Sequence, residues 1–154
     1  MSTSIKHIVV ADDDRDDLDF FRDALKDNCP DVKITVAEDG SELLFMLNRI
    51  TLPDVIVLDL NMPCISGKDC LKAIRKDDKY KKVPIVIYST SSNTTDVQEC
   101  LQYGANHYVT KPSSVHAIST LVKKLCSGEL ASNPKGIELC LRGLLSFNPL
   151  FLII

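Results

Sequence analysis

Several things are scarce in this chain of 154 residues. It has no block of basic charge: 18 lysines and arginines against 21 acidic residues leave a net charge of −3, spread along the sequence. That withholds the electrostatic footprint of a nucleic-acid binder. The six cysteines (Cys29, Cys64, Cys70, Cys100, Cys126 and Cys140) form no C-x-x-C, and no cysteine–histidine group has zinc-site spacing. His7, His107 and His116 are too scattered for metal ligation and read as structural or surface residues. Met1 to Lys6 is short and polar, unlike a secretory signal. No uninterrupted run of about 20 apolar residues is available to span a membrane. No glycine-rich, phosphate-cradling loop follows the first apolar run. Together these absences point to a reduced, cytoplasmic protein whose cysteines act as small core hydrophobes. An exposed, redox-active cysteine is the alternative.

What is present is ordinary globular composition, 45% hydrophobic and 25% charged, in a length that suits one domain. Short apolar runs alternate with segments of helical period. His7–Ala11 reads as a buried strand. Leu18, Phe21 and Leu25 stripe a helix predicted over Asp16–Asn28, ended by Cys29-Pro30. Val32–Ala37 reads as a second strand, and Asp39-Gly40 turns into a helix carrying Leu43, Leu44, Leu47 and Ile50. Val55–Leu58 is a continuous apolar run, the pattern of a parallel strand covered on both faces. Ser66-Gly67 opens a helix with Leu71 and Ile74 inward, and Pro84–Tyr88 reads as the fourth strand. A helix is predicted from Thr95 to Tyr103, with Gly104 just past its end, and a fifth strand over Asn106–Thr110. Val115, Ile118, Leu121, Val122 and Leu125 stripe a last helix. Five βα units in succession imply an α/β fold, a doubly wound five-stranded parallel sheet with helices on both faces.

Ligands of such sheets bind outside the carboxyl ends of the strands. The polar residues that follow the apolar runs are therefore the candidates: Asp12 and Asp13, then Asp59, then Ser89 and Thr90, then Lys111 before Pro112. Carboxylates from two strands make an oxygen-rich site for a hard cation such as Mg²⁺. A lysine and a hydroxyl opposite can neutralise and hydrogen-bond a phosphoryl group. An ionised aspartate needs no base to act as a nucleophile and can form an aspartyl phosphate. Asp14, Asp16 and Asp17 are explained by the favourable dipole of a helix N-terminus and read as structural or solvated.

The residues Ile8–Asp14, Val57–Pro63 with Ser66-Gly67, Ile87–Thr90 and Gly104–Pro112 resemble, in order and spacing, the motifs of CheY-like response-regulator receiver domains. The resemblance covers about residues 5–126. It implies strand order 2-1-3-4-5. It implies Asp59 as phosphoacceptor and Mg²⁺ held by Asp12, Asp13, Asp59 and the backbone carbonyl of Asn61. Lys111 and Ser89 would contact the phosphoryl group, Ser89 and Tyr108 would act as switch residues, and the Lys111–Pro112 bond would be cis. Asn61 and Ser91 would flank the attacking water and tune the lifetime of the phosphate. Thr90 stands where a small residue is common, which crowds the phosphate, and Ser113 replaces a frequent Phe, which loosens the start of the last helix.

The function expected is that of a stand-alone response regulator, not an enzyme beyond its own phosphoryl transfer and autodephosphorylation. A sensor histidine kinase or phosphotransfer protein would supply the group, and a downstream protein would read a changed surface. Three rivals are weaker. A haloacid-dehalogenase-like phosphatase would place a second Asp where Asn61 stands. A phosphorylation-independent module would not need the full constellation. A flavodoxin-like binder would set a flavin phosphate against acidic residues. Residues 127–154 are expected to be a linker and an apolar extension. Ile137–Ile154 is too interrupted for a membrane span and is read as docking on the domain or on a second copy, or else as a frameshift or cloning remnant. A homodimer would use that tail or the face of helix four, strand five and helix five.

Overall fold

The computed structural model describes residues 4–132. The chain runs β1 (His7–Ala11), α1 (Arg15–Asn28), β2 (Lys33–Ala37), α2 (Gly40–Leu47), β3 (Val55–Leu58), α3 (Gly67–Lys76), a 3-10 turn (Asp78–Tyr80), β4 (Ile85–Ser89), α4 (Thr94–Gln102), β5 (His107–Thr110), α5 (Val115–Cys126) and α6 (Glu129–Ser132). The five strands form one parallel sheet, as the βα pattern implied, in the order β2-β1-β3-β4-β5 that the resemblance implied.

Alternation along each strand sorts its side chains between two cores. Val9, Ala11, Ile56, Leu58, Ile85, Ile87 and Tyr108 pack with Leu43, Leu71, Ile74 and Val97 of α2, α3 and α4. Ile8, Val10, Val55, Val57, Val86, Tyr88 and Val109 pack with Leu18, Phe21, Leu25, Ile118, Leu121 and Leu125 of α1 and α5. With both faces covered, the central strands read as unbroken apolar runs. Helix starts are fixed by side-chain caps: Asp14, Asp39, Ser66, Asn93 and Ser114 each accept from an N–H of the first turn, worth about 1 kcal/mol apiece. Gly104, at φ +104°, ends α4, and Arg75 Nε donates to its carbonyl at 2.9 Å.

Three expectations are corrected. Val115 does not line the core: it is 67% exposed. The buried face of α5 begins with Ala117 and Ile118, and Val115 at the first helical position stands in solvent. The Lys111–Pro112 bond is trans, since the described residues contain no cis peptide. Trans is favoured by about 0.5–1 kcal/mol at X–Pro, and the trans chain already places the Lys111 N–H on Ser89 O at 2.7 Å. Finally, the segment read as a linker begins with α6, whose Leu130 is 3% exposed and joins the α1–α5 core. The apolar stretch 137–154, Cys140 and the docking expected of that stretch lie outside the described residues.

Candidate functional site

The register of the sheet brings the ends of β1 and β3 side by side, Ala11 against Leu58. The next residue on each is an aspartate. Asp12 is tied into place by its N–H to Ala37 O (3.0 Å) and Asp59 by its N–H to Ala11 O (2.9 Å). Asp12 and Asp59 are buried, at 2% and 4% exposure, whereas Asp13 is exposed. A carboxylate oxygen from each of Asp12, Asp13 and Asp59 lies within 4.8 Å of the others. One oxygen of each buried carboxylate is held locally: Asp14 N–H donates to Asp12 Oδ1 and Leu60 N–H to Asp59 Oδ1, both at 2.9 Å.

Lys111 enters from β5. Its ammonium lies 2.7 Å from Asp12 Oδ2, 2.7 Å from Asp17 Oδ2 and 3.6 Å from Asp59 Oδ2. Burial by itself pulls this lysine's pKa down. The bonds to Asp12 and Asp17 and the charge of Asp59 outweigh that and hold it above its usual value. Asp59 is not fully compensated. Burial pushes its pKa up to about 7, Lys111 opposes the shift and Asp12 adds to it. Asp12 is also raised, by burial first. A site with an excess of carboxylate and all-oxygen donors fits a hard divalent cation.

Asp17 is the residue the sequence reading missed. It was assigned to the helix dipole, yet it pairs with Lys111 across 94 positions. Its place in the first turn of α1 accounts for the dipole reading; no local signal marks the long-range pair.

The remaining candidates surround this cluster. Ser89 is wholly buried at the end of β4, and its Oγ accepts from Ser91 N–H at 3.2 Å. Tyr108 is wholly buried too, with its hydroxyl donating to Ser91 O at 2.8 Å. The ring therefore sits inward, and burial raises its pKa. Asn61 and Thr90 are exposed. Ser91 turns its hydroxyl toward Asp96 (2.6 Å). His7 hydrogen-bonds Thr35 Oγ1 at 2.8 Å and His107 is buried, while His116 is exposed, so none belongs to the site.

The loop from β3 to α3 is confined by two close backbone approaches. A Cβ at Gly67 would stand 2.1 Å from Asp59 O, and one at Gly40 would stand 2.1 Å from Ile65 O. Neither position has room for a side chain.

Known proteins resemble this chain in sequence and in fold. The profile of the response regulator receiver domain matches residues 8–123. The chemotaxis protein CheY of Pseudomonas aeruginosa is 31% identical over 113 residues, covering 71% of this chain and 90% of that one. Among solved structures, the phosphorylated cyanobacterial phytochrome response regulator RcpA superposes with TM-score 0.74 at 28% identity, over 79% of this chain and 91% of its own. The Mn²⁺-bound form of response regulator Rcp1 does so with TM-score 0.74 at 26% identity, over 82% and 96%.

Proposed function

The chain belongs to the response regulator receiver domain family, and on that premise we propose that Asp59 accepts a phosphoryl group from the phosphohistidine of a sensor kinase or phosphotransfer protein. The observation that carries this reading is the buried Asp59 carboxylate set among Asp12, Asp13 and Lys111 at the strand ends. An ionised Asp59 oxygen attacks phosphorus, the P–N bond to the donor imidazole breaks, and the imidazole leaves with a proton. The product is an acyl phosphate on Asp59, later lost to water.

Mg²⁺, held by Asp12, Asp13, Asp59 and the Asn61 carbonyl, would neutralise charge on the phosphoryl oxygens and keep Asp59 ionised. The chain supplies the rest. Lys111, now shared by Asp12 and Asp17, is within reach of an oxygen on Asp59. Ser89 offers a buried hydroxyl, and Tyr108 links any movement of the following turn to the sheet's edge. Asn61 and Ser91 tune the lifetime of the phosphate. The output is a changed protein-binding surface on α4, β5 and α5, where exposed Val115 offers an apolar contact. The chemistry is self-modification, without turnover of a separate substrate. Among the described residues no helix is long and apolar enough to cross a membrane.

The experiment is intact mass spectrometry after incubation with phosphoramidate, with and without Mg²⁺. A gain of one phosphoryl mass is expected, dependent on Mg²⁺ and absent from Asp59→Ala. An adduct that persists in Asp59→Ala would place the acceptor elsewhere.

A further inference from the structure

Cys29 and Cys126 stand far apart in the sequence and side by side in the fold. Cys29 caps the carboxyl end of α1, with its N–H on Leu25 O at 2.7 Å and its carbonyl accepting from Val32 N–H at 3.0 Å. Cys126 is the last residue of α5. The two helices are clipped together beside the pair, where Asn28 Nδ2 donates to Ala24 O and to Ser119 Oγ, both at 2.8 Å. The Cys126 thiol gives a hydrogen bond to Cys29. Both side chains pack against the α1–α5 core, and neither is fully buried. With Asn28, Pro30, Val32 and Lys123 they line one open cleft of about 390 Å³, through which a small solute can reach them. Cys70 and Cys100, by contrast, are buried in the core on the opposite face of the sheet.

We infer that Cys29 and Cys126 form a redox site, at which hydrogen peroxide closes a reversible disulfide that staples α1 to α5. The Cys29 sulfur attacks one peroxide oxygen, the O–O bond breaks and water leaves, so that Cys29 carries a sulfenic acid. The Cys126 sulfur then attacks the Cys29 sulfur. The S–O bond breaks, the Cys126 proton goes with the oxygen, and a second water leaves. The two sulfurs give up two electrons, and the peroxide takes both. The surroundings set the order. Burial first, and then the hydrogen bond to Cys29, hold the Cys126 thiol above its usual pKa, so Cys126 keeps its proton and enters second. The cross-link closes a loop from residue 29 to residue 126, nearly the whole domain, and so removes much of the freedom of the unfolded chain. The pair lies beside Ile5 and Val32, which lead into β1 and β2, at the end of the sheet away from Asp12 and Asp59. The staple therefore stands independently of the chemistry proposed for the acidic cluster.

The test starts from the full chain, reduced and then freed of reductant, and treats it with hydrogen peroxide beside Cys29→Ser, Cys126→Ser and Cys64→Ser. Intact mass should fall by two hydrogens in the parent chain and in Cys64→Ser, and dithiothreitol should restore it. Peptide mapping without reductant should find the Cys29 and Cys126 peptides joined. Cys126→Ser should stop at the sulfenic acid, trapped on Cys29 by dimedone, and Cys29→Ser should form no disulfide. The oxidised parent chain should melt about 10 °C above the reduced one. That gain should be absent from Cys29→Ser and Cys126→Ser, whose own melting curves show that they fold. A parent chain with no reducible loss of two hydrogens overturns the inference. So does a disulfide that maps to Cys64 or Cys140, or one that leaves the melting temperature unchanged or lower.

Discussion

At the amino ends of the strands Asp54 accepts from the Lys6 and His7 N–H groups at 2.8 and 2.9 Å, and His7 closes onto Thr35. At the carboxyl ends Asp12, Asp17 and Asp59 converge on Lys111 with Asp13 beside them. Both ends carry aspartates next to buried strands. At the first, the Asp54 carboxylate is exposed and matched to backbone donors. At the second, two carboxylates are buried and the negative charge exceeds the positive. A matched end is architecture. A mismatched end stores unfavourable free energy that a cation or a transferred group can release, and that is the physical signature of a working site.

Removing Lys111 breaks the comparison most sharply. Lys111→Met leaves buried Asp12 and Asp59 without their counter-charge, and metal-free protein at pH 8 is expected to lose about 3 kcal/mol. Urea unfolding with and without Mg²⁺ checks this, with the cation recovering part of the loss. The next effect is on pH dependence. The folded pKa of Asp59 is raised to about 7, against roughly 3.9 when unfolded. The folded state therefore binds the extra proton, and stability falls as pH rises through that window. In protein freed of divalent cations the parent chain should be about 1.4 kcal/mol more stable at pH 6 than at pH 8 relative to Asp59→Asn, and Mg²⁺ should erase the difference. A flat difference between the two chains would mean that Asp59 is already compensated. The smallest effect belongs to the other end. Asp54→Ala should cost about 1 kcal/mol, with the same loss in Mg²⁺ and in chelator.

Much of the fold was legible because burial on both faces leaves a direct mark. β1 and β3 fall where unbroken apolar runs placed them, and the caps Asp39 and Ser66 sit where the turns were read. The convergence of Asp12, Asp13, Asp59 and Lys111 was legible because a doubly wound sheet brings together the residues that lie just past the carboxyl ends of its strands. What stayed hidden depends on tertiary position. Val115 has the right helical phase but stands in solvent. Asp17 and Lys68 find their partners in segments far along the chain. The 3-10 turn and α6 are too short for a periodicity to show, and each is fixed by an inward side chain, Tyr80 and Leu130.

Gly40 and Gly67 bear on how this protein tolerates mutation. They carry no charge and touch no ligand, and by residue chemistry alone they would rank among the least informative positions. Yet one added carbon at Gly67 collides with the carbonyl of Asp59, and one at Gly40 collides with the loop that leads from it. In a mutational scan these two positions should behave like members of the acidic cluster, because the smallest change there displaces the backbone on which the cluster is hung.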